Sequence, residues 1–470
     1  MSRKIARLVL PVSAALLPAL VLCTVPPSST PDEADPASSR SIAPSTSGYE
    51  YQGASSCSAV GCHGGSESRA GGASAYRIWI TRDPHAEAYA VLADERSERI
   101  AVNLAGPTRS VIRPTDDARC LNCHVHADAK TTRHATTFTL FDGVSCESCH
   151  GPAERWVQEH WSDWKTHPVK EQQKQQSGMN TTQILVAQAR LCAGCHVGGS
   201  GRDVNHDLIA AGHPRLNFEF SAFLANMPAH WDVGQGNDPA RESQAWAIGQ
   251  VASACAALEL LAWRAASDSK ALRPWPEFGE YSCASCHHDL SSMGWARTGN
   301  GSGDAGRLRW GTWSMPLASR LVDGVVREPA SSVLLLRAEM ARPEPRPSEV
   351  ERLAHRAAAA CRAGLDRLDS SPPLSPDALR ELIESAARQP PSSWEEATQL
   401  YLAAAAHQHA LKGRNARPSP DGDASLRAMF DSLAFPDGSD THGGSGGATP
   451  DDFLAALARY LSSVNTKPDR

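Results

Sequence analysis

The feature that most constrains this sequence is a short pattern of two cysteines followed at once by a histidine, which occurs five times. Four copies have the spacing CxxCH and the first has CxxxxCH. A random order of the same residues, 13 of them cysteines and 18 histidines, gives on the order of 0.01 copies of CxxCH. The copies are Cys57, Cys62 and His63; Cys120, Cys123 and His124; Cys146, Cys149 and His150; Cys192, Cys195 and His196; and Cys283, Cys286 and His287. The pattern is therefore not accidental.

The spacing of these motifs suits covalent attachment of haem. Two thiols on one short turn can each add to a vinyl group of the same porphyrin, and the next residue then lies under the iron. Histidine at that position supplies the fifth iron ligand. Zinc is the alternative, but a structural zinc site joins two CxxC pairs and needs no histidine directly after the second cysteine. The first motif has a longer loop between its cysteines, but such a loop also closes onto haem in the cytochrome c3 family. We therefore include it, and the sequence predicts five covalent c-type haems with their iron.

The N-terminal segment has the layout of an export signal. Three basic residues precede an apolar run from Leu8 to Val25. Cysteine-rich chains persist outside the cytoplasm, where c-type haem is attached. We therefore predict a periplasmic or other extracytoplasmic protein, with residues 1–25 as an export signal or as an N-terminal membrane anchor. Cys23 leaves a lipid anchor open, although Leu22 is bulky where a lipidation site prefers a small residue.

The composition changes several times along the chain. The five motifs are spaced about 50 residues per haem, so the porphyrins must supply much of the core and the helices should be short. After a glycine-rich link at Gly299–Gly306 the chain is rich in Ala, Leu, Glu and Arg, which favours helices. We predict a mainly α fold: a haem-cored multihaem cytochrome c domain followed by an α-helical C-terminal segment. The predicted divisions are 1–25, signal or anchor; 26–48, disordered linker; 49–298, pentahaem domain; 307–412, helical domain; 413–448, flexible loop; and 449–470, terminal helix and tail.

Helix-start patterns mark the C-terminal segment. Ser348 with Glu351, and Ser393 with Glu396, have the spacing of capping boxes. Proline in the first turn predicts two more helices, one after Ser375 and one from about residue 449. Cys255 and Cys361 lie on apolar stripes at helical spacing, which predicts core positions rather than reactive thiols. The four histidines outside the motif region are predicted to be solvated; they are His355, His407, His409 and His442.

The motif region resembles the tetrahaem cytochrome c-554 family. The resemblance rests on WITRDPHAEAYAVL from Trp79 to Leu92, LNCHV at the second motif, GVSCESCHGP at the third and CAGCHVG at the fourth. It covers about residues 49–200. Members of that family carry electrons from hydroxylamine oxidoreductase in ammonia oxidisers. The fifth motif, the run NHDLIAAGHPRLNFEF from Asn205 and the helical tail resemble larger multihaem proteins of planctomycete type, so the donor is not carried over.

The resemblance implies sixth iron ligands for some haems. It assigns His85 to the fourth haem and His160 to the first. The third haem takes its ligand from downstream of the fourth motif, where His213 is favoured because Pro214 fixes the turn, and His230 is next. His206 is a further choice there. The second and fifth haems stay open. His288 is a candidate sixth ligand for the second haem or for the fifth haem's neighbour, and His126, His134 and His167 are not assigned.

Iron ligation separates the predicted functions. An iron held by two histidines can only pass electrons, whereas an iron without a sixth ligand can bind substrate. We expect an electron carrier rather than a catalyst, relaying electrons between redox partner proteins. The alternative is a multihaem oxidoreductase acting on a small nitrogen or sulfur compound at one five-coordinate haem, which in the resembled family is the one matching Cys120 to His124. A third possibility is that the helical tail makes this chain an assembly or docking subunit, whose haems serve its partner.

The charge of the chain bears on its partners. The formal net charge is −6, so nucleic acid is not expected as a partner. Contact with a membrane is expected only through the N-terminal segment. Redox partners are expected to dock transiently, because redox encounters use small, wet interfaces.

Overall fold

The structure is a computed structural model of the whole chain. It describes residues 48–66, 71–107, 109–126, 128–167, 169–231, 239–266, 274–287, 308–311, 313–323, 329–413, 420–433 and 450–464. The predicted export signal, nearly all of the predicted linker, the glycine-rich link, His288 and His442 lie outside these ranges. The predictions made for them therefore remain predictions.

The described residues form α-helices and short 3-10 helices, and no β-strand occurs among them. The predicted mainly α fold is confirmed. The α-helices are α1 Ala75–Arg82, α2 Glu95–Ala105, α3 Ala118–His124, α4 Cys146–His150, α5 Asp163–Thr166, α6 Glu171–Gln176, α7 Leu185–His196, α8 His206–Ala210, α9 Phe220–Asn226, α10 Pro239–Ala265, α11 Pro316–Asp323, α12 Pro329–Met340, α13 Pro347–Ser370, α14 Pro376–Ala387, α15 Trp394–Gly413, α16 Pro420–Asp431 and α17 Pro450–Ser463. The 3-10 helices are Ala54–Cys57, Gly71–Ser74, Pro84–Glu87, Ala90–Ala93, Pro114–Asp116, Leu140–Asp142, Phe278–Glu280 and Cys283–Ser285.

The elements around the first three motifs are short and capped by local side chains. Asp94 accepts a hydrogen bond from the backbone N–H of Ser97 at 2.7 Å, which starts α2. Asp117 accepts one from the N–H of Arg119 at 2.9 Å, which starts α3. The apolar clusters here are small: one has Leu92, Leu121, Val125 and Ala129 as its buried members, and another has Ala54, Trp79 and Ala86. These helices are too short and their clusters too small to form a protein core of ordinary size.

The long helix α10 is the centre of a much larger apolar core. It contacts α7 and α9 from the motif region and α11, α13, α14 and α15 from the C-terminal segment. Its residues Trp246, Leu258 and Leu261 are fully buried, as is Leu365 of α13. A helix that is apolar on most sides becomes buried in this way. The helices after the predicted division at residues 298–307 therefore share one core with α10, which precedes it.

Helix α10 is also the one described helix that is long and apolar enough to cross a membrane, over Arg241–Ala265. Of its most apolar window, 83% is buried inside the protein. The core helix of a globular protein meets the same length and composition criteria, so the packing of α10 accounts for its composition.

The structure confirms one of the predicted helix starts and only part of another. Ser375 caps α14, accepting from the N–H of Ala378 at 3.2 Å, as predicted. At the start of α15, Ser393 accepts from the N–H of Glu396 at 3.2 Å. The carboxylate of Glu396 instead accepts from the N–H of Ser392 at 2.7 Å, so the predicted box is not closed.

Three other predictions about this segment are corrected. Helix α13 begins at Pro347 and not with a Ser348 cap, because proline has the helical φ that a first helical position needs. Residues 413–448 were predicted as a flexible loop, but Pro420–Asp431 form α16, which starts with proline and has two acidic residues in its first turn. His407 was predicted to be solvated, but it is buried and its Nδ1 lies 2.7 Å from the hydroxyl of Tyr460.

Candidate haem-binding sites

The second, third and fourth motifs form the last turns of short helices. His124, His150 and His196 are the final residues of α3, α4 and α7. Residues three and four apart lie on one face of a helix, so both thiols and the imidazole of each motif face the same way. The first motif begins at the last residue of the 3-10 helix Ala54–Cys57, and the fifth includes the 3-10 helix Cys283–Ser285. In the three helical motifs, one short turn therefore presents two thiols and an imidazole together.

Thiols from different motifs lie side by side. The thiol of Cys57 in the first motif is close enough to that of Cys146 in the third for each to shift the pKa of the other. The thiols of Cys123 in the second motif and Cys195 in the fourth are neighbours in the same way. The motif cysteines are free of disulfides. The first four motifs therefore converge, the first on the third and the second on the fourth.

Three motif histidines have a second histidine facing them. The ring centres of His63 and His160 are 6.2 Å apart and nearly parallel, at 8°. The ring centres of His196 and His85 are 6.0 Å apart, and those of His150 and His230 are 6.5 Å apart. A metal–imidazole bond is about 2 Å and the ring centre lies roughly 1 Å further, so two rings on opposite faces of one iron have centres about 6 Å apart. Each of the three pairs would therefore have room to hold one iron between its two rings.

Two of these pairs join the residues that the c-554 resemblance assigns to each other, His160 with the first motif and His85 with the fourth. For the third motif the order of preference is reversed: the ring beside His150 is that of His230, which the sequence ranked below His213. The turn that precedes His213 contacts helix α2 instead. The argument from Pro214 was local and gave no information on which motif the turn would face.

Hydrogen bonds at Nδ1 prepare several of these rings for metal binding. A carbonyl or ionised carboxylate oxygen can only accept, so the imidazole Nδ1 carries the proton and Nε2 keeps its lone pair. Metal-binding histidines commonly donate their other ring N–H in this way. The Nδ1 contacts are His63 to Gly72 O at 2.6 Å, His85 to Asp83 Oδ1 at 2.9 Å, His124 to Ala88 O at 2.6 Å, His160 to Trp156 O at 3.0 Å and His213 to Pro214 O at 2.8 Å.

Burial keeps two of the motif imidazoles neutral. It is the main reason that the pKa of His150 falls to about 4, and the nearby ring of His230 contributes. Burial also lowers the pKa of His196 to about 4, with His85 contributing. A metal ligand must be unprotonated, so these rings are ready to bind iron at neutral pH.

The histidines left unassigned by the sequence have other contacts. His126 and His134 face each other, with their Nε2 atoms 3.1 Å apart. The ring of Tyr51 stacks on His126 at 4.1 Å between centres. His167 is exposed and contacts the hydroxyl of Thr166 at 3.0 Å. None of these contacts brings the three rings to a motif histidine.

The surroundings of the fifth motif are only partly described. A guanidinium nitrogen of Arg215 donates to the thiol of Cys283 at 2.9 Å. His206 lies against the segment leading into this motif. Its backbone N–H donates to the carboxylate of Glu277 at 2.7 Å, and its ring centre is 5.9 Å from that of Phe278. A cleft of about 100 Å³, partly open to solvent, lies nearby and includes Arg215 among its lining residues. His206 is therefore placed by the fifth motif rather than the third.

The exposed aromatic side chains fit a bound porphyrin. Phe223 is 44% exposed and its ring centre is 5.1 Å from that of His196. Trp231 is 37% exposed and lies 5.1 Å from His230. Flat apolar groups beside paired imidazoles, next to thiols that form no disulfide, are what a covalently attached haem requires as neighbours. The residues present therefore fit the cofactor.

Two acidic residues of the site were not identified from the sequence. Asp83 orients His85, and its position two residues earlier in DPH was a usable signal. Glu147 lies inside the third motif, where its buried carboxylate accepts from the N–H groups of Gln52 at 2.9 Å, Gly53 at 2.7 Å and Ala153 at 2.7 Å. Glu147 thus ties the approach to the first motif to the third. Two of its partners, Gln52 and Gly53, are 95 and 94 residues away, so no local pattern could reveal them.

Comparison with known proteins adds to this geometry. Residues 56–151 match the model of a family described as cytochrome c554 and c-prime. The matched stretch contains the first three motifs and His85. Comparisons with curated proteins and with solved structures gave no match. The predicted resemblance is confirmed over residues 56–151. This stretch is similar to the cytochrome c554 family, and the match supports a c-type cytochrome that holds covalent haem iron and takes part in electron transfer.

Proposed function

We propose that this chain is an extracytoplasmic, periplasmic pentahaem cytochrome that relays electrons between two redox partner proteins. The observation that carries the proposal is the set of three histidine pairs with centres 6.0–6.5 Å apart, each joining a motif to a distant segment. A bound c-type haem supplies a one-electron iron couple, and two axial histidines leave it no open position for substrate. These residues would therefore hold iron for electron transfer alone.

Convergence of the motifs supports a continuous route. The thiol contacts place the first motif against the third and the second against the fourth. Cys149 of the third motif is also close enough to Cys195 of the fourth for the two thiols to affect each other electrostatically. Arg215 and His206 connect the segment after the fourth motif to the fifth. Electrons entering at one motif would therefore have a neighbouring one to pass to.

The donor and acceptor would bind from outside this core. A net charge of −6, before any haem propionates, favours partners with a basic docking patch. Such docking is transient and weakens as salt screens it, with a Debye length of about 8 Å at physiological ionic strength. The N-terminal signal or anchor would place the chain on the side of the membrane where c-type haem is attached.

Protein-film voltammetry of the purified holoprotein tests the proposal against the oxidoreductase alternative. We expect reversible electron-transfer waves that are unchanged by hydroxylamine, nitrite or sulfite. A catalytic current with any of these compounds would instead favour turnover at a five-coordinate haem.

A further inference from the structure

We propose that His213 is the sixth ligand of the iron held by the second motif, Cys120, Cys123 and His124. This inference rests on the proposed function, since it requires a haem at that motif. In the resembled family the haem at this motif keeps an open position, so ligation by His213 would remove the site on which the oxidoreductase alternative depends.

The second motif is tied to the start of α2. His124 ends α3, and its Nδ1 donates to the carbonyl of Ala88 at 2.6 Å. Ala88 lies just before the 3-10 helix Ala90–Ala93, which leads directly into α2. His124 is therefore fixed next to the segment that carries α2, with its Nε2 available for iron.

The turn that carries His213 docks on the same helix. Asn103 of α2 donates to the carbonyl of Ala211 at 3.0 Å, and Arg96 donates to the carbonyl of Gly212 at 2.9 Å. Gly212 has a φ of +119°, which a side chain would strain, and a Cβ there would come within 3.4 Å of Ile100. Two hydrogen bonds and a glycine therefore set the direction in which the next residue, His213, leaves α2.

The imidazole of His213 is prepared as a ligand. Its Nδ1 donates to the carbonyl of Pro214 at 2.8 Å, so its Nε2 carries the lone pair, as in His160 and His63. The ring of His213 is close enough to that of His124 for the two to interact electrostatically. The competing His126 is engaged with His134 through Nε2.

The test compares His213→Ala with the control His167→Ala in fully matured holoprotein. Carbon monoxide binds ferrous haem that lacks a sixth protein ligand, so we expect His213→Ala to bind one more equivalent per chain than the wild type. The oxidised variant should gain one high-spin haem by electron paramagnetic resonance, while His167→Ala should match the wild type. His213→Met, which can also ligate iron, should remain low-spin. An unchanged carbon monoxide stoichiometry and spin state in His213→Ala would overturn the proposal.

Repeating the carbon monoxide measurement in a variant without the second haem tests whether the site opened by His213→Ala is at the second motif. In the double variant Cys120→Ser, Cys123→Ser, which removes the second haem, adding His213→Ala should bind no further carbon monoxide. Extra binding there would mean that His213 ligates another haem, and would overturn the assignment. If the double variant instead kept the wild-type haem content, the proposed function would fail at the second motif, which is a different result.

A different observation carries a second inference: we propose that Cys255 and Cys361 form a disulfide in the mature protein. Cys255 of α10 and Cys361 of α13 are both buried, each 4% exposed, in the shared apolar core where α10 packs against α13, and the two thiols are close enough to interact. This part of the proposal depends on the proposed extracytoplasmic location, where such pairs persist. Both thiols lose their protons and a sulfur–sulfur bond forms. The disulfide of a thiol–disulfide oxidoreductase accepts the two electrons and two protons and is cleaved to a dithiol.

Alkylation of the denatured, unreduced holoprotein tests the disulfide. Peptide mapping should find Cys255 and Cys361 unmodified and joined in one linked peptide, which separates on reduction. Cys361→Ser should leave Cys255 open to alkylation and lower Tm by roughly 5 °C, because the link closes a long loop of chain. Complete alkylation of both wild-type cysteines without reductant would overturn this proposal, while a full haem content in the same sample would leave the proposed function standing.

Discussion

The region around the first three motifs, residues 48–167, and the helical region α10–α17 bury apolar side chains in different ways. The first has small clusters with three or four buried members, and its half-buried groups include most of the motif thiols. The second shares one continuous core in which Trp246, Leu258, Phe453 and Tyr460 are fully buried. A region with so little apolar protein contact needs another source of stability, and the proposed haems would supply it. The difference leads us to expect that the cofactors act as core in the first region and are not needed as core in the second.

Loss of a central haem gives the largest effect that this comparison predicts. Cys146→Ser with Cys149→Ser removes the third attachment site, which contacts the first through Cys57 and lies near the fourth. We expect residues 48–167 to become sensitive to limited proteolysis while α10–α17 stay resistant. The matched control, Cys283→Ser with Cys286→Ser, should leave residues 48–167 protected. Equal proteolysis of both regions in the first variant would break the comparison.

A cavity in the shared core should destabilise the helical region and leave the haem motifs unchanged, the reverse of the effect of losing a haem. Leu258 of α10 is fully buried, so Leu258→Ala should lower the free energy of unfolding by about 2–5 kcal/mol. The haem spectrum of the folded variant should not change, because Leu258 belongs to the helical core. Chemical denaturation followed by circular dichroism measures the loss, and Leu334→Ala, at a side chain 62% exposed, is the control with an expected change below about 0.5 kcal/mol. A haem spectrum altered by Leu258→Ala would show that the regions are more tightly coupled than we describe.

A smaller effect should appear as a pH dependence of the helical region. A hydrogen-bonded ion pair with Arg346 lowers the pKa of Glu339 from 4.5 to about 2. A carboxyl with a depressed pKa stabilises the fold above its unfolded pKa and loses that contribution as pH falls toward 2. Stability should therefore decline between about pH 4.5 and 2, and Glu339→Gln should flatten that decline. Arg346 is largely exposed, so solvent screening limits the size of the effect. An identical pH profile in Glu339→Gln would rule out this source.

The sequence predicted what local spacing controls. The CxxCH turns, the Ser375 cap and the burial of Cys255 and Cys361 all follow from residues within a few positions of each other. His407 was assigned to the surface because the partner that buries it, Tyr460, is 53 residues away. The sequence could not show which motif His230 and His213 would each face. The position of His213 depends on a hydrogen bond from Arg96 to the neighbouring Gly212, which is 116 residues away along the chain. Helix α16 was missed because turn-forming residues dominate its surroundings, although its proline and acidic first turn are a typical helix start.

The central claim is that haems are covalently attached at the five motifs and act as the core around them. Intact mass of the mature holoprotein, combined with a pyridine haemochrome assay, tests this most directly. We predict five haems per chain, with a mass exceeding that of the polypeptide by five haem groups. A mass equal to that of the amino acids alone, or a haem-free sample in which residues 48–167 remain as protease-resistant as α10–α17, would contradict it.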